Sequence, residues 1–270
     1  MTATSVAPPA YIHGGSGPLT PLRALGVGVP TSDYLKIPIV AFLVEHPQRG
    51  PLLIDTGLHA TCASDPASNL GRLGARVFSP RMDPEEAVAA QLRTRGIEPG
   101  EIGLVVMTHM HIDHASAIVD FPNATFVVSQ PEWDAANGSN GWYHGYRREQ
   151  FDHPFECRKV DFDDAPPYDG FSRSLDLLED GSVRLVFTPG HTQGHMSVVL
   201  RTQAREVVVA GDAIYTKRAL DEGVRPYRME NEEAYGRSLR ELQEYARANP
   251  DALVIPGHDM EFWETLEPVY

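Results

Sequence analysis

His109-Met110-His111-Ile112-Asp113-His114 places four strong metal-ligand types within six residues, directly after the apolar run Leu104-Val105-Val106-Met107. A strand that empties into a loop can aim closely spaced side chains at one point. Imidazole combined with carboxylate suits zinc or a similar divalent ion. His109 and His111 lie two apart, so in extended backbone they face the same way. Asp113 and His114 follow where the chain turns, and can face a second ion.

Three later passages repeat one arrangement. Val183-Arg184-Leu185-Val186-Phe187 runs into Thr188-Pro189-Gly190-His191, Glu206-Val207-Val208-Val209-Ala210 ends in Gly211-Asp212, and Leu253-Val254-Ile255 leads into Pro256-Gly257-His258. Each short apolar run stops at Gly or Pro-Gly and then presents one ligand type. Small residues there let the backbone turn sharply and approach an ion. A single His after Pro-Gly is ordinary turn chemistry; the repetition downstream of the first cluster is what points to a shared site.

The ordered set His109, His111, Asp113, His114, His191, Asp212 and His258 resembles the metallo-β-lactamase superfamily across most of the chain. The resemblance implies an α/β fold, a four-layer αββα sandwich with its metal site at one edge of two facing sheets. It implies that His109, His111 and His191 hold one metal, that Asp113, His114 and His258 hold the other, and that Asp212 bridges. An Asp at the bridging position is similar to the dinuclear hydrolases, where true β-lactamases usually carry Cys. His at 111, where the diiron flavoproteins carry Glu, favours two Zn(2+) ions over an iron redox centre. Ala115-Ser116 depart from the Gly-Gly that many members carry after the first cluster.

Within the superfamily, Gly211-Asp212-Ala213-Ile214-Tyr215-Thr216 and Gly257-His258-Asp259 resemble the N-acyl homoserine lactonases. That resemblance implies a small-molecule lactone substrate opened by a hydroxide shared between two metals. Tyr215 would then reach the substrate, and Asp113 would shuttle a proton to the departing ring oxygen. Pyridoxolactone hydrolases resemble the same segment.

Several elements must position these residues. Ile37–Val44 and Leu52–Ile54 read as strands around the turn at 46–51, and Asp55-Thr56-Gly57 closes the second. Asp55 is expected to support the site without being a ligand, and His59 to lie on a surface loop. Asp83-Pro84-Glu85-Glu86 opens a helix with an Asp cap and Pro in the first turn, and Gly96 stops it. Ala124–Val128 reads as a strand, and Ser129-Gln130-Pro131-Glu132 as a capping box starting a helix through Trp133. Asn231 begins the clearest helix, with Tyr235, Leu239, Leu242 and Ala246 on one face and Asn249-Pro250 at its end. The stretch 137–170 shows no regularity and holds Trp142, Tyr143, His144, Tyr146, Phe151, His153 and Phe155. A long aromatic loop of this kind is expected to border the pocket; His144 and His153 are not expected to bind metal.

Composition bounds the rest. The chain has 270 residues, 42% of them hydrophobic, enough for a single domain over 1–270 with a large core. Residues 1–17, rich in Ala, Pro, Gly and Ser, are expected to form a flexible arm. The net charge of −14 repels phosphate backbones and argues against nucleic acid as partner. The N-terminus lacks the basic start and apolar stretch of a signal peptide, and no run is long enough to span a membrane. Cys62 and Cys157 lack zinc-finger spacing and are expected as free thiols, consistent with a cytoplasmic protein. The arm and the long loop could serve a homodimer.

Other readings share parts of this pattern. A thioester hydrolase of the glyoxalase II type would carry the same ligands but adds a helical domain, and only twelve residues follow His258. A hydrolase of another lactone, an ester or a phosphotriester fits the same ligands. A non-catalytic metal-binding module is disfavoured, because structural zinc needs only four ligands and closes its coordination.

Overall fold

The computed structural model describes residues 2–5, 10–13, 36–226 and 229–267. Along the chain they form β1 (Thr2–Ser5), β2 (Ala10–His13), β3 (Lys36–Ile39), β4 (Phe42–His46) and β5 (Gly50–Ile54). Next come α1 (Pro66–Phe78), β6 (Pro80–Arg81), α2 (Val88–Thr94), β7 (Leu104–Val106) and β8 (Thr125–Ser129). α3 (Gln130–Asn137), α4 (Gly141–His144), β9 (Glu156–Val160), β10 (Ser174–Asp176) and β11 (Val183–Phe187) follow. β12 (Met196–Arg201), β13 (Glu206–Gly211), α5 (Lys217–Glu222), α6 (Glu232–Ala248), β14 (Leu253–Pro256) and α7 (Met260–Trp263) complete the order.

The strands build a six-stranded sheet in the order β1-β4-β5-β7-β8-β9 and a five-stranded sheet in the order β10-β11-β12-β13-β14. A small sheet, β3-β2-β6, stands beside them. Side-chain alternation along the strands makes the layers. Val44, Leu52 and Ile54 of the first sheet pack against Leu185, Val198 and Val209 of the second. Their neighbours Leu43, Leu53 and Val105 turn outward onto Val88 and Leu92 of α2. On the far side, Val186, Val199 and Val208 meet Tyr235, Leu239, Leu242 and Tyr245 of α6. Helix, sheet, sheet and helix thus share three apolar seams. Each fully buried aliphatic side chain contributes about 1.5–3 kcal/mol.

β5, β7, β8 and β9 run parallel, so their C-terminal ends emerge at one edge. β11 and β13 are each antiparallel to β12, and β14 is parallel to β13, so these three also end together. The loops after β5, β7, β11, β13 and β14 carry every residue singled out above as a ligand or its support. Ligands of open α/β sheets gather at such carboxyl ends.

Some expected elements differ. The run 37–44 divides at Val40-Ala41, because β3 pairs with β2 of the small sheet while β4 joins the large one. The helix expected from Asp83 is a 3-10 turn over Pro84–Glu86, separated from α2 by an extended Ala87. The stretch 137–170 is not irregular throughout: it holds α4 and then β9, which pairs with β8. β9 is an edge strand of Glu, Cys, Arg, Lys and Val, largely exposed, so no apolar alternation marks it. Within 1–17, the chain pairs as β1 with β4 and as β2 with β3 rather than standing free, and the remaining positions of that arm lie outside the described residues. Cys62 is buried and Cys157 partly so, both as free thiols. Among the described residues no helix is long and apolar enough to cross a membrane.

Candidate metal centre

All seven ligand-type residues named from the sequence meet at that edge. His109, His111 and His191 form one group, Asp113, His114 and His258 a second, and His109, His114 and Asp212 a third that overlaps both; within each group the ligand atoms lie within 4.8 Å of one another. His191 Nε2 is 3.2 Å from His109 Nε2 and 2.9 Å from His111 Nδ1. Asp113 Oδ2 lies 3.8 Å from His114 Nε2 and 3.7 Å from His258 Nε2. Asp212 reaches both sets: Oδ2 is 3.2 Å from His191 Nε2, and Oδ1 is 3.4 Å from His114 Nε2 and 3.1 Å from His258 Nε2.

This donor set fits divalent cations. Three imidazole nitrogens crowded together cannot all donate protons to one another. A tetrahedral ion at about 2.0–2.1 Å from each would set them roughly 3.3 Å apart, close to the separations observed. Burial, with the neighbouring imidazoles His114 and His111, holds His109 well below its ordinary pKa. Burial does the same for His191, against the pull of Asp212. Both therefore keep lone pairs free. His114 Nε2 is buried without a hydrogen-bond partner among the described residues. Burial opposes charge on His114, yet Asp113, Asp55 and Asp212 hold its pKa well above the usual range. Asp212 and Asp113 likewise raise His258 against burial. Asp212 is held ionised, well below the usual carboxylate range, by His258 and His191, although burial opposes this. A cluster that retains protons only through its carboxylates is one where a cation can replace them.

Backbone and side-chain contacts aim the rings. His258 Nδ1–H donates to the carbonyl of Pro38 at 2.9 Å, turning Nε2 inward. Asp55 accepts the Thr108 N–H at 2.7 Å, the Thr108 hydroxyl at 2.8 Å and His114 Nδ1–H at 2.8 Å. With its proton given to Asp55, Thr108 Oγ1 accepts His109 Nδ1–H at 3.1 Å. Asp55 thus orients two of the candidate ligand rings and, among the described residues, joins none of the ligand-type groups. It does so at φ +60°, the left-handed region rarely used outside Gly, Asn and Asp. The Ala115-Ser116 turn takes no positive φ and therefore needs no glycine. Ser116 Oγ instead donates to Asn69 Oδ1 of α1 at 2.6 Å and accepts the His59 N–H at 2.9 Å.

Glycine is required at Gly190, φ +132°, where a Cβ would stand 2.1 Å from the backbone nitrogen of Tyr235. That close approach seats the His191 loop on α6. Tyr215 Oη lies 2.9 Å from His191 Nδ1, at the margin of the first group. His59 lies apart from the ligands, on a loop where it pairs with Asp120 at 3.3 Å. His144 pairs with Glu230 at 3.0 Å, and His153 contacts the carbonyls of Gln150 and Pro154. Neither belongs to a ligand group among the described residues. The first part of the aromatic stretch lies against the first cluster: Gly145 O accepts the Ile112 N–H at 3.1 Å, and the Tyr146 ring stands 5.1 Å from that of His111. Trp142 and Tyr143 on α4 are largely exposed.

Two residues went unrecognised in the sequence. His195 is fully buried, and burial pushes its pKa down to about 3. Its neutral Nε2 accepts the Asp212 N–H at 3.0 Å, so Nδ1–H donates to Thr188 Oγ1, which passes its proton to Ser197 Oγ and thence to Ala210 O. The chain of bonds fixes the backbone of Asp212. Its only sequence signal is a second His four residues after His191. Glu132 completes half of the expected capping box, since its N–H donates to Ser129 Oγ at 3.2 Å. Its carboxylate turns away to the ligand loops, accepting Met110 N–H at 2.8 Å, Thr192 Oγ1–H at 2.6 Å and Gly194 N–H at 3.2 Å. Burial pushes its pKa up to about 7.

The family model of the Metallo-beta-lactamase superfamily matches residues 36–258. The N-acyl homoserine lactonase AttM of Rhizobium radiobacter is 33% identical over 235 residues, covering 86% of this chain and 85% of its own length. The N-acyl homoserine lactonase AiiA of Bacillus thuringiensis subsp. kurstaki is 27% identical over 228 residues, covering 84% and 83%. A solved structure of an N-acyl homoserine lactone hydrolase, with its product N-hexanoyl-L-homoserine at the catalytic metal center, superposes with a TM-score of 0.80 at 21% identity. That match covers 98% of this chain and 96% of the other.

Proposed function

The chain belongs to the metallo-β-lactamase superfamily, and we propose that it is a metal-dependent hydrolase opening the ring of N-acyl homoserine lactones. The observation that carries this is the convergence of His109, His111, Asp113, His114, His191, Asp212 and His258, with the Tyr215 hydroxyl beside them. The similarity to named lactonases supplies the substrate class.

His109, His111 and His191 would hold one cation, and Asp113, His114 and His258 the other, with Asp212 shared. An imidazole-and-carboxylate set of this kind favours zinc, with other divalent ions able to compete. When bound, two such ions polarise a carbonyl and lower the pKa of water towards about 7.

The protein's own groups do the remainder. Were His191 to hold a cation through Nε2, its Nδ1–H would donate to Tyr215 Oη, 2.9 Å away. The phenol O–H is then left to donate to the lactone carbonyl oxygen, which gains negative charge as the ring carbon becomes tetrahedral. A donor that binds this oxygen better in the transition state than in the substrate raises the rate. Asp113, 8% exposed and beside His258, would carry a proton to the ring oxygen as the C–O bond breaks. Burial of His109, His114 and Asp212 keeps bulk water from competing for these contacts. Asp55 and His195 keep the geometry by orienting His109, His114 and Asp212.

The test is acid release from homoserine lactones of several acyl lengths, beside a pyridoxolactone, a thioester and a phosphotriester, with metal analysis of the same preparation. Fastest turnover on the homoserine lactones is expected. Preference for any of the others would replace the substrate assignment and leave the metal centre standing.

A further inference from the structure

We infer that Glu132 is a positioning residue for one ion of the pair, fastening the loop of His109 and His111 to the loop of His191. The inference rests on the proposal above that two cations are held. Met110, whose N–H Glu132 Oε1 accepts, lies between His109 and His111, on the loop after β7 of the first sheet. Thr192 and Gly194, whose donors Oε2 accepts, follow His191 on the loop after β11 of the second sheet. One carboxylate therefore ties together the two loops that bear the first group, across the gap between the sheets.

The tie is built without slack. Glu132 is 1% exposed, and Ser129 Oγ donates to Gly194 O at 2.5 Å from the same turn of α3. A Cβ on Gly194 would stand 2.1 Å from the Glu132 backbone nitrogen, so loop and helix are in direct contact. Among the described residues no hydrogen bond of Glu132 reaches Asp113, His114 or His258, and the two imidazoles are aimed instead by Asp55 and the Pro38 carbonyl. Loss of the Glu132 carboxylate should therefore loosen the first ion and spare the second.

Glu132→Gln keeps the shape but turns one acceptor into a donor, which must face either Met110 N–H or the Thr192 and Gly194 donors. Cobalt affinity is read by competition with a chromophoric chelator in two backgrounds. In His114→Ala/His258→Ala protein, which keeps the first group, E132Q should weaken cobalt binding by about 10–100-fold, the usual effect of losing a partner that orients ligands. In His111→Ala/His191→Ala protein, which keeps the second group, affinity should not change. Equal weakening in both backgrounds, or none in the first, overturns the inference. Should E132Q fail to fold, Thr192→Val removes one of the three donors and is held to the same pattern at smaller size. Wild-type protein that takes up only one cobalt ion would instead overturn the paired-ion reading, a result separate from any effect of E132Q.

Discussion

Asp55 Oδ2 accepts both His114 Nδ1–H and the Thr108 hydroxyl, each at 2.8 Å, and through Thr108 it also governs His109. A single oxygen thereby fixes the tautomer of two imidazoles in different ligand groups. Asp55→Asn presents an amide in place of that oxygen or of the one that accepts Thr108 N–H, so a donor must face a donor. Metal affinity should fall by about 10–100-fold, measured by equilibrium dialysis with zinc. Unaltered affinity would show that the rings hold their orientation without it.

Asp212→Asn tests the shared ligand. Among the described residues its carboxylate is the only one paired with both His191 and His258. Bound metal should drop below two ions per chain and turnover should be lost; full activity with a single ion would overturn the paired arrangement.

Tyr215→Phe removes the hydroxyl at His191 Nδ1 without emptying the core around it. The chemical step should slow by about 100-fold, the scale of one lost oxyanion donor, with metal content unchanged. Single-turnover kinetics on a homoserine lactone separates this from a change in binding; an unaltered rate would remove Tyr215 from the reaction.

Metal uptake should depend on pH in a defined direction. His114 and His258 have raised pKa values because nearby carboxylates outweigh burial. A cation must displace those protons, so affinity should rise with pH through the raised values and then level. For the ion-free protein the sign reverses: the proton-linked stability from these two is complete below the unfolded value near 6.5 and is lost as pH rises through the folded values. Zinc titrations and thermal unfolding of chelator-treated protein, each run across pH, check both arms.

His195 adds an opposite, acid-side dependence. Its pKa is depressed from 6.5 to about 3, so the stability it contributes is lost as pH falls below the unfolded value. His195→Gln should flatten the acid limb of ion-free unfolding by up to about 1.4 kcal/mol per pH unit. An identical limb in the variant would mean that the ring takes up its proton without cost.

The ligands were legible because each sits where an apolar run meets Gly or a tight loop, a signal contained in a few neighbouring residues. The apolar runs of β4, β5 and β11 and the stripe of Tyr235, Leu239 and Leu242 marked individual elements, whereas the four-layer arrangement came from the resemblance to the superfamily. Glu132 and His195 were not, because their work is defined by partners far along the chain: Glu132 meets Thr192, and His195 meets Asp212. Local sequence assigned Glu132 to its own helix cap, which is only half of what it does. β9 escaped for another reason: as a largely exposed edge strand it owes its place to pairing with β8 and not to an apolar face.

The candidate ligands enter from successive strand ends, so each group gathers residues from distant parts of the chain. His109, His111 and His191 are all synthesised well before His258. The first trio comes wholly from residues that precede β14; the second includes His258, carried by that last strand where it docks parallel beside β13. The second group thus depends on the register that the closing strand finds beside β13.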